Sequence, residues 1–485
     1  MDIRIYSKGQ YNTDFRNIRP GASFPSTEVR ARNLVYRSNK RLFTGEYASN
    51  KKLIARIDGN EEEVDYKVLP LNYFKLIVNK IDSLLWSNDV TIHTGNSETD
   101  NLVNKLIERT GWLDSIRYAS KLAEIYGDVI LKTYTNGVSV CPPMEGYKVL
   151  DKTDKSVKGF VLKELLYEDQ MFSNEFNSKP SYIRILISCP GFDYERVFRY
   201  SGDYWSGTLG EPVRIKYKDR WIPKRGRYYF SGVDEPTVQW FSVNIEDDGV
   251  YGTSSFENVK KIIWALENRL TMDNYVLDAH GMPILLIGQS AVIPDEKTKG
   301  YKLKVIDNKF LIARDINGEP KASYLTWDGK LENSKTVRDD LLGHFYELSE
   351  MGKVFLSGQV QGNPSEETLG NIIKSAIDRG HREINYLYTD MKKSLYVLCR
   401  LNNIDIRLED ISIELNIGRA DDAQVLAKVC ETLLSCNLFS KETLRKMYYG
   451  YDADSSKAED ALIQKEGGGD LDDIQRDSGK AVQSG

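Results

Sequence analysis

Most of the short motifs that mark an enzyme are missing from these 485 residues. No GxxxxGKS/T stretch offers a phosphate-cradling loop and no GxGxxG follows a predicted strand, so neither a P-loop nor a dinucleotide site is expected. HExxH and GxSxG are absent as well. Histidine is scarce: His93, His280, His344 and His381 are scattered and make no ligand pair, so the sequence points to no metal and no cofactor. The five cysteines, Cys141, Cys189, Cys399, Cys430 and Cys436, are odd in number and contain no CxxC. That pattern reads as reduced intracellular thiols, not a disulfide framework. No run approaches eighteen apolar residues, so neither a transmembrane helix nor a membrane partner is expected. MDIRIYSKGQYNTD has no apolar stretch behind its charges, so no secretory signal is expected. Positive charge is not in excess either: 66 Lys and Arg face 71 Asp and Glu, for a net charge of -5. Proteins that grip nucleic acid firmly carry a basic excess, so any contact with DNA should be weak.

What remains is a folded composition, 41% hydrophobic and 11% aromatic with 29 tyrosines, long enough for two to four domains. Residues 26–44 and NYFKLIVNKIDSLLW (72–86) have helical spacing, the latter through Phe74, Ile77, Val78, Ile81, Leu84 and Leu85. Two more helices follow, broken near Gly111. From Gly127 to about residue 253, short β-rich runs separated by Gly, Asp, Asn and Pro predict antiparallel sheet. Residues 254–280 read as a long helix with two apolar stripes, Phe256, Val259, Ile263, Leu266 and Leu270 on one and Ile262, Ala265, Met272 and Val276 on the other. One stripe suffices for a surface helix; two predict contact on two sides. MPILLIG (282–288) reads as a strand, and Asn317-Gly318 joins two β-rich arms as the preferred pair of a two-residue hairpin. A further helix runs to about Met351, and the longest spans Ser365 to about Leu401. Asn363 is its expected cap, with Pro364 in the first turn and Glu366 three residues after the cap. Gly370 and Gly380 are expected bend points. Residues 405–416 end in a strand, two short helices follow, and the polar, Gly-rich tail is expected to be disordered.

The acidic clusters Glu61-Glu62-Glu63 and Glu246-Asp247-Asp248 read as exposed turns, and DADSSKAED (452–460) as a solvated acidic run lacking the central glycine of a calcium loop. Lys260, Lys261, Lys335 and Arg338 lie on the two long helices before the polar loop, as solvated charges, ion-pair partners of a neighbouring subunit, or weak phosphate contacts. Asp339, Asp340, Glu347 and Glu350 make the second of these helices net acidic, against tight DNA binding. Between Gly352 and Pro364 the only charge is Lys353.

The order of these elements resembles the portal, or head-to-tail connector, proteins of tailed bacteriophages, most nearly the branch of siphophages of Gram-positive hosts. NYFKLIVNKIDSLLWSNDVTI, the YGTSSFENV step into the first long helix, and SEETLGNIIKSAIDRGHREINYLYTDMKKSLYVL carry the likeness, which spans roughly residues 20–450. The resemblance implies an α+β portal fold. Residues 1–253 would be a wing, helical over 1–126 and β-rich over 127–253. Residues 254–280 and 331–351 would be two stem helices, 281–330 a small α/β clip, and 352–364 a tunnel loop. Residues 365–418 would be a long bent wing helix with its return strand, 419–464 a short crown, and 465–485 a disordered tail.

The resemblance further implies a virion location and a homo-oligomeric ring, usually of twelve subunits, that conducts double-stranded DNA during packaging and ejection. Its implied partners are the terminase large subunit, a neck adaptor, and the major capsid and scaffolding proteins. Lys353, Val354, Phe355, Leu356, Ser357, Gln359, Val360, Gln361 and Asn363 would approach the DNA, weakly and without regard to sequence. Lys260, Lys261, Lys335 and Arg338 would face the channel or a neighbour, and Arg314, Asn317, Gly318 and Lys321 of the clip would meet partners. A channel through which DNA slides should be poor in persistent cationic contacts, since each adds salt-dependent affinity and hence friction. The missing nucleotide motif implies that the chain is not an enzyme and that a separate motor hydrolyses ATP. Two other readings compete: another oligomeric neck or baseplate component, and an enzyme acting on nucleic acid or glycan through acidic residues.

Overall fold

The computed structural model describes residues 18–47, 50–57, 60–67, 69–88, 90–151, 156–167, 181–217, 220–245, 250–280, 284–288, 292–295, 300–303, 310–313, 323–325, 331–357, 366–415, 417, 456–457 and 459–461. The chain divides into two units, Met1–Ile417 and Gly418–Gly485. In the second, the described residues are helical. The rest of the expected crown, and the tail, lie outside the described residues.

The fold of the first unit is α+β. Helix α1 (Thr27–Thr44) starts where the Ser26 hydroxyl accepts from the Val29 N–H at 3.4 Å and stops at Gly45, whose φ of 79° is the left-handed conformation glycine adopts freely. Helix α2 (Tyr73–Leu85) buries all six residues of its predicted stripe. Helices α3 (Ser97–Thr110) and α4 (Trp112–Tyr126) are separated at Gly111, φ 61°. After the β-rich region come α5 (Lys260–His280), α6 (Leu331–Leu348), the short α7 (Gly352–Ser357) and α8 (Glu366–Leu401). Helix α8, at 36 residues, is about 54 Å long. Gly380 lets it lie close on α2, because a Cβ there would sit 2.9 Å from Leu84 Cδ2. Helices α1 to α8 all contribute to one core, in which Phe74, Ile77, Trp112, Ile263, Phe345, Leu387 and Leu395 are fully or almost fully buried.

Seven strands form the main antiparallel sheet, in the spatial order 23–24, 207–212, 192–202, 182–189, 157–166 and 146–150, with 227–230 also paired to 192–195. Its buried face packs Val161, Ile183, Ile185, Phe198 and Leu209 around Phe24. A second sheet, ordered 238–242, 128–134 and 137–141, joins α4 to the loop that leads into α5. Asp128 at its start ties four segments together. It accepts from Tyr36 Oη at 2.6 Å, Trp240 Nε1 at 2.8 Å, Ser242 Oγ at 2.6 Å and the Gly252 N–H at 3.1 Å. Burial and this carboxylate together raise the Tyr36 phenol well above its ordinary value. Strand 412–415 returns to pair with 90–93.

Four expectations change. Residues 50–57 and 60–67 are paired strands within the part expected to be helical, so Glu61, Glu62 and Glu63 lie in a strand and not a turn. Ile57 pairs with Asn60, which leaves Asp58-Gly59 as the connection. Strands 310–313 and 323–325 do not pair across Asn317-Gly318. They flank 284–288, the first parallel to it and the second antiparallel, so each bonds to that central strand and not to the other. The helix expected from 254 begins as a 3₁₀ turn at Glu257–Val259 and becomes α-helical at Lys260. Residues 352–357, expected as loop, are helix α7, since burying Leu356 to 3% exposure rewards a turn of helix.

Candidate functional site

Helices α5 and α6 pack as an antiparallel pair. At one end Asp273 of α5 accepts from Ser334 Oγ at 2.5 Å and lies 4.0 Å from Arg338 Nη1, one turn further along α6. At the other end Phe256 and Phe345 stack against the adjacent Phe74 and Tyr73, with ring centroids 5.1 and 4.9 Å apart. The first stripe is taken up by the chain's own core over Phe256, Val259, Ile263 and Leu266, which are buried, while its last member, Leu270, is half buried. The second, Ile262, Ala265, Met272 and Val276, is only half buried. Beside it Trp264, Tyr275 and Leu277 are 40–51% exposed, as are Val337 and Leu348 on α6.

Of the expected cations on this pair, Lys260 is bound to Glu257 at 2.5 Å and Arg338 is directed to Asp273, so both are spent within the chain. Lys261 and Lys335 are exposed. The chain reverses after α6 through two left-handed residues, Glu350 (φ 56°) and Gly352 (φ 70°), and enters α7. Lys353 is exposed, Phe355 is half buried with Lys80 Nζ 5.5 Å from its ring centroid, and Ser357 Oγ donates back to the Lys353 carbonyl at 2.8 Å. Leu356, expected among the channel residues, is buried in the core. The side chain of Val354 and residues Gln359, Val360, Gln361 and Asn363 lie outside the described residues, as do Arg314, Asn317, Gly318 and Lys321.

The reversal is anchored by a buried ionic cluster that the sequence reading does not foresee. On α8, Arg379 and Glu383 are one turn apart with Nε and Oε1 at 3.6 Å, and both are almost fully buried. Arg379 donates Nη2 to the Ser255 carbonyl at 3.0 Å and Nη1 to the Ser349 carbonyl, joining the start of α5 to the end of α6. Glu124 of α4, wholly buried, accepts from the Ser255 hydroxyl. Burial, then the charge of Glu383, pushes the Glu124 carboxyl well above its ordinary value. Burial likewise raises Glu383, against the pull of Arg379 and Arg382. Two buried acids thus share one buried guanidinium, and the arrangement is best satisfied when they retain a proton. A cleft of about 210 Å³ opens beside the cluster, walled by Asn244, Ser254, Glu350, Arg379 and Arg382. Arg382 closes its rim through an ion pair with Glu350. The signal was present in the helical period of α8, where 379 and 383 occupy core-facing positions between Ala376 and Leu387.

Among the described residues, no group of three or more His, Cys, Asp and Glu side chains is placed to hold a metal ion, and no helix is long and apolar enough to cross a membrane.

No protein-family profile matches the chain, and no curated protein does. Among solved structures, a chain described as the neck of a native GTA particle with C12 symmetry aligns at 9% identity over 90% of this chain and 97% of its own, with a TM-score of 0.42. One from the neck of an empty GTA particle with C6 symmetry aligns at 9% identity over 78% and 90%, with a TM-score of 0.41. A chain from the virion of a native gene transfer agent particle aligns at 11% identity over 86% and 99%, also with a TM-score of 0.41. The likeness is one of general layout.

Proposed function

We propose that this chain is a portal protein: a subunit of a ring at one capsid vertex through which double-stranded DNA is packaged and later ejected. The observation that carries the reading is the antiparallel pair α5–α6 with a small strand module between its members. A sharp reversal follows, then the long α8 and its return strand at 412–415. That succession is what a stem, clip, tunnel element, wing helix and return strand require. In this reading 254–280 and 331–351 are the stem, 281–330 is the clip that docks the terminase motor and then the neck adaptor, and 352–364 is the tunnel element. The half-buried second stripe of α5, with Trp264, Tyr275 and Val337 beside it, supports contact with neighbouring copies, because such rings leave one helix face for the adjacent subunit. Helix α7 holds the near end of the tunnel element against the core, so that Lys353 and residues 358–363 are its DNA-facing part and Leu356 its anchor. The chain performs no catalysis in this scheme; the motor supplies the work and the ring supplies the passage.

Negative-stain microscopy and light scattering of the purified chain test this. Turbine-like rings with a central hole are expected. A stable monomer at micromolar concentration, with no rings at any salt, would overturn the reading.

A further inference from the structure

One segment beside the main sheet has a charge opposite to that of the chain. From Arg214 to Arg227, seven of fourteen residues are basic and only Asp219 is acidic, in a protein of net charge -5. Arg220 is neutralised by Glu195 at 3.4 Å, a carboxylate it shares with Arg184. Arg214, Lys224, Arg225 and Arg227 are exposed and make no ion pair among the described residues.

The segment is firmly built. Strands 215–217 and 220–222 pair with each other, and 227–230 pairs with 192–195. The turn between them is closed by the Gly226 N–H donating to the Pro223 carbonyl at 2.8 Å. Tyr194 Oη donates to the Arg225 carbonyl at 2.8 Å and Arg196 Nε to the Lys224 carbonyl at 3.1 Å, so the sheet pins the turn from below. Gly226 sits at φ 83° over the Tyr194 ring, where any side chain would collide. Aromatic rings then orient the cations: the Arg214 guanidinium lies 4.5 Å from the centroid of Trp221, itself half exposed, and that of Arg227 lies 5.0 Å from Tyr229. The result is a cleft of about 620 Å³ with Arg214, Arg225, Arg227, Trp221 and Tyr228 on its walls.

Three uncompensated guanidiniums on the walls of one cleft, Arg214, Arg225 and Arg227, repel one another until an anion enters, and guanidinium forks match phosphate oxygens in pairs. A duplex presents about one negative charge per 1.7 Å of its axis, denser than the carboxylates of an extended peptide at about 3.3 Å per residue. We propose that this cleft binds the phosphate backbone of a nucleic acid without regard to base sequence. It is built from 192–230, apart from α5–α8, so the proposal stands or falls separately from the ring reading.

Fluorescence anisotropy with labelled duplexes of two unrelated sequences, on the full chain, tests it. Equal affinity for both is expected. With three phosphates engaged, log K should fall against log salt with a slope of about −2.7, roughly a 40-fold loss between about 50 and about 200 mM salt. The double variant R225Q/R227Q should cut the slope to about −0.9 while leaving the thermal midpoint unchanged. K105Q, on exposed α3 surface, should change neither. No binding at the lower salt, an unaltered slope in R225Q/R227Q, or tighter binding of a polyglutamate peptide than of duplex would overturn the assignment, the last by identifying an acidic protein as the occupant.

Discussion

Replacing Arg379 with methionine keeps most of the aliphatic stem and removes the buried cation that acts on both Glu124 and Glu383. Arg379 is 5% exposed and holds the Ser255 and Ser349 carbonyls as well as Glu383. Losing one partner of a buried pair costs about 3–5 kcal/mol, and the second acid nearby places the loss toward the upper end, about 4–5 kcal/mol at about pH 7.5. The sign of the pH dependence follows from how the two acids hold their protons. Both carboxyls are raised above their ordinary 4.5 in the folded chain, so between that value and the raised one the native state binds more protons than the unfolded state. Stability therefore rises as pH falls through that window. In R379M the acids lose their buried counter-charge, only Arg382 at the rim remaining beside Glu383, and hold their protons more tightly still. The deficit should then shrink at about pH 5.5, by about 1.4 kcal/mol for each tenfold gain in proton affinity of a carboxyl that titrates between the two pH values. Urea unfolding of wild type, R379M and R379M/E383Q at both pH values measures this, and the double variant should recover part of the loss. A deficit under about 1 kcal/mol at the higher pH, or one equal at both, would refute the picture of two acids sharing one cation.

Other outcomes follow from the same geometry. In G252A the new methyl would collide with the carbonyl oxygens of Gly127 and Val243, both backbone, so the thermal midpoint should fall by the equivalent of about 1–3 kcal/mol; calorimetry checks it. D128A strands the Tyr36 hydroxyl, the Trp240 indole N–H and the Ser242 hydroxyl in the interior. It should cost about 3–5 kcal/mol, read by tryptophan fluorescence during unfolding. Q359R/Q361R should leave ring assembly intact but impair DNA packaging or retention, and a normal phage titre from it would argue that this segment does not approach DNA. A clip lacking Asn317 and Gly318 should spare the ring yet weaken motor or adaptor binding in a pull-down.

Helices were legible where one rule governed a whole segment. The stripe Phe74, Ile77, Val78, Ile81, Leu84 and Leu85 could be buried in only one way, and Gly111 could only break a helix where it does. Local rules failed where a distant segment decided. Asn317-Gly318 is a sound hairpin signal for adjacent strands, but strand 284–288 sits between its arms. Strand pair 50–57 and 60–67 was overlooked because charge masks its pattern, although Asp58-Gly59 carries the same turn signature. Helix α7 was hidden because scarcity of charge read as loop, while Leu356 had a core to reach. The ionic cluster was the least legible part: Arg379 and Glu383 look like an ordinary surface pair until α8 is laid against Glu124 and Ser255.

Strand 412–415 pairs with 90–93, and the Trp112 indole donates to Ser394 at 3.2 Å. During synthesis, then, the N-terminal helices emerge long before the residues that cover them. At about 5–20 residues per second, Trp112 waits roughly 15–60 s for its partner. Throughout that interval the nascent chain holds an apolar face open to water, a natural client for a chaperone. A chain cut before α8 would lose the cover of its whole helical layer, whereas one cut between α8 and residue 412 would lose only the return strand.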